Sequence, residues 1–253
     1  MEVAAARVAD AELGALIARG RDAEIFALGR DRVVRRTPGP RDLTVESTVM
    51  EHVRAAGYPV PRVWRVAPGE MVLERVEGPT MAEDLARRPW RLRGHARTLA
   101  DLHRRLHAID APADLPAHPV GGSTVVHLDL HPANVILSPS GPVVIDWTNA
   151  QRGDGAADVA DTWLTMALFE RDPEPGSTPI ARLADAVVAR IEPMVRRHLV
   201  DVFLDSAGRD DARRVLAVAA ERRLADHNVR PAEVQAIRRF VQREADGGGD
   251  IAP

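Results

Sequence analysis

The stretch that decides the fold is His127-Leu128-Asp129-Leu130-His131-Pro132-Ala133-Asn134, and Val143-Val144-Ile145-Asp146-Trp147 follows it a short distance along the chain. Apolar runs lie on both sides of the turn residues Ser140-Gly141, a pattern that predicts a β-hairpin. The polar residues of the first stretch therefore precede one strand of the hairpin, and Asp146 follows the other strand.

The two ends of this predicted hairpin carry oxygen-bearing side chains. Because a hairpin brings its ends together, Asn134 and Asp146 are expected to meet at one mouth. Amide and carboxylate oxygens suit Mg²⁺, and Asp129, in the loop before Asn134, would face the same point. The pattern therefore predicts a small site for a divalent cation.

The composition narrows the chemistry available to this site. The chain has 253 residues, 45% hydrophobic and 28% charged, with a formal net charge of -3, which is typical of one large globular domain or two lobes. It contains no cysteine and no lysine, so all 34 basic side chains are arginine. These absences exclude thiol nucleophiles, cysteine-bound zinc, Schiff bases and the lysine of a Walker A loop. Bound phosphate would have to be met by arginine.

The sequence also indicates where the protein acts. It has no basic leader before an apolar stretch and no run of 18 apolar residues, so we expect a cytoplasmic protein that does not enter a membrane. The arginines between Arg87 and Arg105 show no pattern of interleaved aromatic residues, and the total charge is negative. They favour a solvated helix face over nucleic-acid binding.

Hydrophobic periodicity predicts a small α/β N-terminal lobe with a connecting strand over residues 1–77, a larger, mainly helical C-terminal lobe over 78–245 and a flexible tail over 246–253. The elements predicted in the first lobe are a short helix from Asp10 to Ala18, a hairpin of strands at 24–28 and 32–35, a helix over 43–56, and strands at 62–66 and 71–76. Those predicted in the second lobe are a capping box of Thr80 and Glu83, a helix over 91–109, a strand at 124–127, the hairpin, and helices over 158–245 with breaks at 173–176 and 228–231.

The spacing H-x-D-x-x-x-x-N, followed by a strand that ends in I-D-W, resembles the catalytic segment of the aminoglycoside phosphotransferase and choline kinase family, which are relatives of protein kinases. The resemblance covers roughly residues 20–163. It implies an α+β, bilobal protein-kinase-like fold, with a small β-sheet lobe that has one helix and a larger, mainly helical lobe. It also implies an ATP-dependent kinase that uses Mg²⁺ and transfers the γ-phosphate to a hydroxyl group of a small molecule.

Carried over by position, the resemblance makes Asp129 the base that orients the acceptor hydroxyl, and it assigns Mg²⁺ to Asn134 and Asp146. His127 becomes the structural histidine of the loop.

The stretch Gly153–Ala160 is similar to the family's G-D-P-x-x-D-L-A. The resemblance implies that Asp158 caps its helix and hydrogen-bonds back to the catalytic loop. Gly155 stands where the family has proline, which predicts a looser turn.

The N-terminal lobe offers candidate contacts for ATP. Arg35 ends a strand where the family usually has Lys or Arg, and Glu46 lies on the following helix, so the resemblance implies an ion pair that holds the α- and β-phosphates. Gly20 is the one glycine kept at the place of the glycine-rich loop. The stretch that contains Glu74 and Val76 resembles the hinge strand, where the carbonyl of the first and the amide of the second would meet the adenine edge.

Two other functions stay open. The set His127, Asp129, His131 and Asp146 contains an H-x-D-x-H pattern that would suit a metal-dependent hydrolase. The poor glycine-rich loop would also suit a non-catalytic ATP-binding pseudokinase.

The acceptor is expected to be an aminoglycoside-like molecule, an amino alcohol or a sugar. Acidic side chains of the helical lobe would favour a cationic acceptor: Asp154, Asp161, Asp201 and Asp205. His103 and His107 share a predicted helix face, but no third ligand is signalled nearby, which favours packing over zinc. The sequence carries no signal for the oligomeric state.

Overall fold

The computed structural model describes residues 7–20, 23–168, 179–225, 229 and 231–246. Three parts of these predictions lie outside the described residues: the break at 173–176, residues 228 and 230 of the break at 228–231, and residues 247–253 of the tail. No helix within the described ranges is long and apolar enough to cross a membrane.

The N-terminal part is a five-stranded antiparallel sheet with one long helix. Its elements are β1 (Leu16–Arg19), β2 (Glu24–Leu28), β3 (Arg32–Arg36), α1 (Thr44–Ala55), β4 (Val63–Ala67) and β5 (Glu70–Glu74). The strand order is β1-β2-β3-β5-β4, so α1 connects β3 to the edge strand β4, and β5 returns to the centre. The predicted hairpin is present, with Ile25 opposite Arg35.

The predicted helix from Asp10 to Ala18 is wrong. A single 3₁₀ turn covers Asp10–Glu12, and the chain then enters β1. Leu16 lies opposite Phe26 in β2, so the sheet supplies backbone partners that an isolated short helix would lack. The apolar spacing that indicated a helix reflects a strand with all four side chains exposed.

The C-terminal part is mainly helical. Its elements are α2 (Met81–Arg87), α3 (Leu92–Leu106), β6 (Thr124–Val126), β7 (Val135–Ser138), β8 (Gly141–Val144), β9 (Gln151–Gly153), α4 (Gly155–Leu168), α5 (Pro179–Ala207), α6 (Arg209–Leu224) and α7 (Pro231–Ala245). The decisive hairpin is β7–β8, with Val135 opposite Val144. Strand β9, which the sequence pattern does not predict, pairs with β6 and closes the base of the catalytic loop.

One apolar core runs through both lobes. Buried residues of α1 such as Val53 belong to the same cluster as Leu102 of α3 and Trp147 after β8. Tyr58, which follows α1, donates its hydroxyl to the carbonyl of Leu102 at 3.1 Å and packs edge-on against Trp147. The lobes are therefore joined by packing as well as by the chain.

The segment after β5 crosses directly onto the catalytic hairpin. The amide of Leu137 donates to the carbonyl of Pro79 at 2.8 Å, and Thr80 forms a bridge with Ile136. Thr80 also starts α2 with the predicted capping box to Glu83. Gly78 lies at φ 142°, and a Cβ there would be 2.3 Å from the carbonyl oxygen of Leu137.

We therefore expect Gly78→Ala to lower the free energy of unfolding by about 2 kcal/mol, because it adds both backbone strain and a clash with β7. Urea unfolding measures the change. Gly94→Ala in α3 is the control, since no atom lies within 4 Å of its Cβ position, and it should stabilise the helix slightly. Equal stability of the Gly78→Ala variant and wild type would contradict this account.

Candidate active site

The catalytic loop between β6 and β7 brings Asp129 and Asn134 into direct contact. Asn134 Nδ2 donates to Asp129 Oδ2 at 3.0 Å and to the Asp129 backbone carbonyl at 2.9 Å. A 3₁₀ turn over Pro132–Asn134, capped by the His131 side chain, sets this geometry. The predicted proximity of Asp129 to Asn134 is therefore present.

Asp146 reaches the same mouth from the other strand. The amide of Ile145 donates to the carbonyl of Asn134 at 3.0 Å, which joins the two ends of the hairpin. Asp146 itself has φ 64°, a left-handed conformation that a non-glycine residue adopts at a cost of about 1 kcal/mol or more. Its side chain is 46% exposed, so the carboxylate is accessible to solvent and to a ligand.

The predicted Arg35–Glu46 pair is present and buried. Arg35 Nη1 lies 2.5 Å from Glu46 Oε1, and both side chains are less than 10% exposed. Thr148 links the pair to the catalytic hairpin, since its hydroxyl accepts from Arg35 Nη2 at 2.8 Å and donates to Asp146 Oδ1 at 2.9 Å. Arg35 Nη2 is also 3.6 Å from Asp146 Oδ1. The sheet and the hairpin thus share one polar network.

Helix α4 supports the catalytic loop from below. Asp158 is fully buried and accepts from the amides of His127 at 3.1 Å and Leu128 at 2.7 Å. This confirms the expected hydrogen bonds back to the loop. The expected capping role of Asp158 is wrong, because Asp154 occupies that position and its carboxylate accepts from the amide of Ala156 at 2.8 Å.

The same face of α4 holds two further residues of the network, Asp161 and Thr162. Thr162 donates to the carbonyl of Leu130 at 2.8 Å, and its hydroxyl lies 3.0 Å from Nε2 of His103. Asp161 pairs with Arg222 of α6 at 2.5 Å. Burial raises the pKa of Asp161 to about 6 against the opposing charge of Arg222. Residues one helical turn apart therefore hold successive parts of the loop.

His127 is a buried structural residue, as expected. Its Nε2 lies 3.2 Å from the carbonyl of Ile145, and its ring centroid is 4.7 Å from that of Trp147. Trp147 donates its indole N–H to the carbonyl of Val144. The loop and the hairpin are thus packed together at their base.

The carboxylate of Asp129 is ionised at neutral pH. Burial raises the pKa of this group. The hydrogen bond and charge of His131, with the charges of His127 and Arg223, lower the pKa by more than burial raises it, so the net pKa lies below the usual range. His131 Nε2 is 3.4 Å from Asp129 Oδ1. An ionised carboxylate can accept a hydrogen bond from a substrate hydroxyl.

The donors at the hairpin mouth fit a divalent cation. Both hydrogen bonds from Asn134 to Asp129 use the amide nitrogen, so its Oδ1 oxygen is available as a metal ligand. Asp146 adds carboxylate oxygens. Two protein oxygens with phosphate and water as remaining ligands is the arrangement that Mg²⁺ favours. Within the described residues, no cluster of three or more His, Asp or Glu side chains could hold a metal ion.

The remaining predicted nucleotide contacts lie along the sheet. The amide of Gly20 donates to the carbonyl of Ala23 at 2.8 Å in the turn between β1 and β2, whose central residues 21 and 22 lie outside the described part of the chain. Glu74 ends β5, and its amide donates to the carbonyl of Arg62. Val76 follows β5 outside any helix or strand. Their roles toward ATP stay predictions.

The acidic residues expected to attract a cationic acceptor are mostly neutralised. Arg209 bridges Asp201 and Asp205, at 3.0 Å and 3.2 Å, and Asp161 is buried against Arg222. His103 and His107 each have hydrogen-bond partners within the protein, which agrees with packing rather than zinc.

Two residues of the site escape prediction from sequence. Thr148 stands two positions after Asp146, where a lone threonine has no distinguishing pattern. Arg222 lies 94 positions after Leu128, and its donation to the carbonyl of Leu128 depends on how α6 packs on α4. For Thr148, the one available signal was its position next to the I-D-W motif.

A sequence model of the phosphotransferase enzyme family matches residues 110–192. The matched segment contains Asp129, Asn134, Asp146 and Asp158, so the resemblance stated from the sequence is confirmed for this part of the chain. No curated protein sequence matches the chain.

Solved phosphotransferases share the fold. A thermostable mutant of aminoglycoside phosphotransferase APH(4)-Ia, with AMP-PNP and hygromycin B, has a TM-score of 0.53 and 14% identity over 94% of this chain and 95% of its own. The streptomycin-ATP complex of APH(2'')-IIa has a TM-score of 0.55 and 14% identity over 91% of each chain. Amicoumacin kinase hAmiN, with AMP-PNP and Ca²⁺, has a TM-score of 0.51 and 11% identity over 97% of this chain and 91% of its own. The predicted bilobal, kinase-like fold is confirmed.

Gly155 makes room for a histidine that supports the loop. A Cβ at Gly155 would lie 2.4 Å from Nδ1 of His107, whose Nε2 donates to Asp158 at 2.9 Å. We expect Gly155→Ala to displace the His107 ring and to cost about 2 kcal/mol of unfolding free energy. In a His107→Ala background the same change should cost almost nothing, because the clash is gone. Equal costs in both backgrounds, measured by urea unfolding, would contradict the coupling.

The buried His103 predicts a loss of stability in acid. Burial lowers the pKa of His103 to about 4, whereas an unfolded histidine titrates near 6.5. Between pH 7 and pH 4.5 the unfolded chain therefore gains a proton here that the folded chain largely lacks, and this group removes about 2 kcal/mol of stability. In urea unfolding, the His103→Leu variant should lose about 2 kcal/mol less unfolding free energy than wild type between pH 7 and pH 4.5. The control His198→Gln, an exposed position, should behave like wild type. An undiminished loss in His103→Leu would refute the assignment.

Proposed function

We propose that this protein is an ATP-dependent kinase that transfers the γ-phosphate to a hydroxyl group of a small molecule. The observation that carries the proposal is the convergence of Asp129, Asn134 and Asp146 at the mouth of one hairpin, within the network of the buried Arg35–Glu46 pair. Each of these parts has a use in phosphoryl transfer, which depends on positioning and charge stabilisation rather than on covalent chemistry.

Asp129 is the base in this mechanism. Its ionised carboxylate orients the acceptor hydroxyl toward the γ-phosphate and accepts the hydroxyl proton as the new O–P bond forms. The bond between the γ-phosphorus and the β,γ-bridging oxygen breaks in the same step, and ADP leaves. The hydrogen bonds from Asn134 fix the carboxylate, and His131 keeps it ionised. Holding two reactants in line supplies much of the rate.

Asn134 and Asp146 would hold Mg²⁺, which neutralises charge on the phosphates of ATP when bound. Arg35, fixed by Glu46 and Thr148, provides permanent positive charge for the α- and β-phosphates.

The N-terminal lobe, residues 1–77, contributes the rest of the nucleotide site in this proposal. Gly20 lies in the turn that would cover the phosphates, and the backbone of Glu74 and Val76 would meet the adenine edge. The C-terminal lobe, residues 78–245, would bind the acceptor, and the protein would act in the cytoplasm.

The acceptor class is proposed from the neighbours' ligands. Hygromycin B, streptomycin and amicoumacin carry hydroxyl groups, and each is named in the complex of a protein with this fold. We propose a hydroxylated small molecule of this kind, an amino alcohol or a sugar. Because Asp161, Asp201 and Asp205 already pair with arginines, strong positive charge is not required of it.

The metal-dependent hydrolase is not favoured. Of its four candidate ligands, His127 is fully buried beneath the loop with Nε2 near the Ile145 carbonyl. A non-catalytic ATP-binding protein is not favoured either, because the base and both metal-binding residues are present.

The decisive variant is Asp129→Asn. With ATP, Mg²⁺ and a panel of hydroxylated acceptors that includes hygromycin B and streptomycin, wild type should consume ATP, and the variant should be slower in kcat by about 100-fold or more, since it lacks the base. The binding of ATP with Mg²⁺, measured by thermal shift, should change little.

Asp114→Asn provides the matched control, because Asp114 is an exposed carboxylate outside the site. It should retain wild-type turnover. Undiminished turnover by Asp129→Asn would remove the proposed base, and zinc in the purified protein without a thermal shift by ATP would favour the hydrolase.

A further inference from the structure

The residue before the proposed base has an unusual backbone. Leu128 has φ 59°, which a leucine adopts at a cost of about 1 kcal/mol or more. Its side chain is 1% exposed and packs in a small cluster with Val126 and Ala157. This conformation sets the direction in which the following residue, Asp129, leaves the loop.

Charged side chains hold both polar groups of the Leu128 backbone. The amide donates to Asp158 of α4 at 2.7 Å, and the carbonyl accepts from Nη2 of Arg222 at 2.7 Å. Hydrogen bonds to charged groups stabilise more than neutral ones. The partner of the amide lies on α4, next to the loop, whereas the partner of the carbonyl lies near the C-terminal end of α6.

Arg222 is itself held in place. The same Nη2 atom donates to Asp161 at 2.5 Å, and Asp161 lies one turn after Asp158 on α4. The side chain of Asp161 is 4% exposed, and the side chain of Arg222 is 27% exposed. A buried carboxylate that loses its partner is strongly destabilising, so the pair with Asp161 holds the Arg222 guanidinium in place, 2.7 Å from the Leu128 carbonyl.

We propose that Arg222 is a positioning residue for phosphoryl transfer, which holds the Leu128 carbonyl and thereby fixes the orientation of Asp129. Asp161 is its anchor on α4. The inference rests on the proposed function for its catalytic consequence, but its structural part stands without it. It also links α6 of the helical lobe to the reacting centre.

The first test measures the loop directly. Hydrogen exchange of a peptide over residues 124–135 should be faster in Arg222→Gln than in wild type by about tenfold, because the loop opens more easily. Arg222→Lys keeps the charge and should restore part of the protection. Arg213→Gln is the matched control, since Arg213 lies on the same helix and pairs with Glu244 at 3.0 Å, away from the loop. It should leave this peptide unchanged.

The second test measures catalysis, with ATP and Mg²⁺ and water as the phosphoryl acceptor. Arg222→Gln should lower kcat by about tenfold or more and leave KM for ATP within about twofold, because the displaced group is the base and not a nucleotide contact. Arg222→Lys should recover part of kcat, and Arg213→Gln should retain all of it.

Three results would overturn the inference: unchanged exchange in Arg222→Gln, an equal increase in Arg213→Gln, or a loosened loop with unchanged kcat. If Arg222→Gln does not fold, Arg222→Lys is judged by the same measurements, and wild-type values in both would overturn it. If wild type neither binds nor hydrolyses ATP, the proposed function fails, whereas the exchange data still decide whether Arg222 holds the loop.

Discussion

The buried carboxylate of Asp158 is the constraint on which the active site depends. Burial alone would raise its pKa, but His107 donates to it, His103 and His127 add positive charge when protonated, and the net pKa lies well below the usual range. The carboxylate also accepts from the amides of His127 and Leu128. A buried charge with these partners favours one loop conformation, because any other would remove both amide hydrogen bonds from the carboxylate and leave it only the bond from His107.

The two lobes meet at the site through a chain of polar contacts. Glu46 orients Arg35, and Thr148 connects Arg35 to Asp146 at the mouth of the hairpin. Below this network, the apolar contact of Tyr58 with Trp147 continues the core from one lobe to the other. The five-stranded sheet and the β7–β8 hairpin are therefore held together by the same residues.

Much of this arrangement could be predicted from sequence, for physical reasons. The β7–β8 hairpin follows from two short apolar runs on either side of a glycine-containing turn, and its closure brings Asn134 next to Ile145. The Arg35–Glu46 pair was predicted from a family resemblance, since neither residue has a local pattern that would pair them.

The residues that prediction missed depend on tertiary packing. Leu16 and its neighbours have the apolar spacing of a helix, but they pair with β2, because backbone hydrogen bonds to a neighbouring strand outweigh weak helix propensity. Asp154, not Asp158, caps α4, because the helix begins one residue after it. Arg222 reaches the loop through the packing of α6 on α4, which the pattern of either helix alone does not determine.

The proposed placement of Arg35 beside the phosphates of ATP has a practical consequence for chemical labelling. A guanidinium keeps its proton at any pH that the folded chain survives, so it is not a nucleophile. Acylating ATP analogues, which modify an amine beside the phosphates, would find no reactive nitrogen in Arg35 even when seated correctly. A negative labelling result with such reagents would therefore carry no information about whether ATP binds, and occupancy has to be followed by reversible methods such as calorimetry.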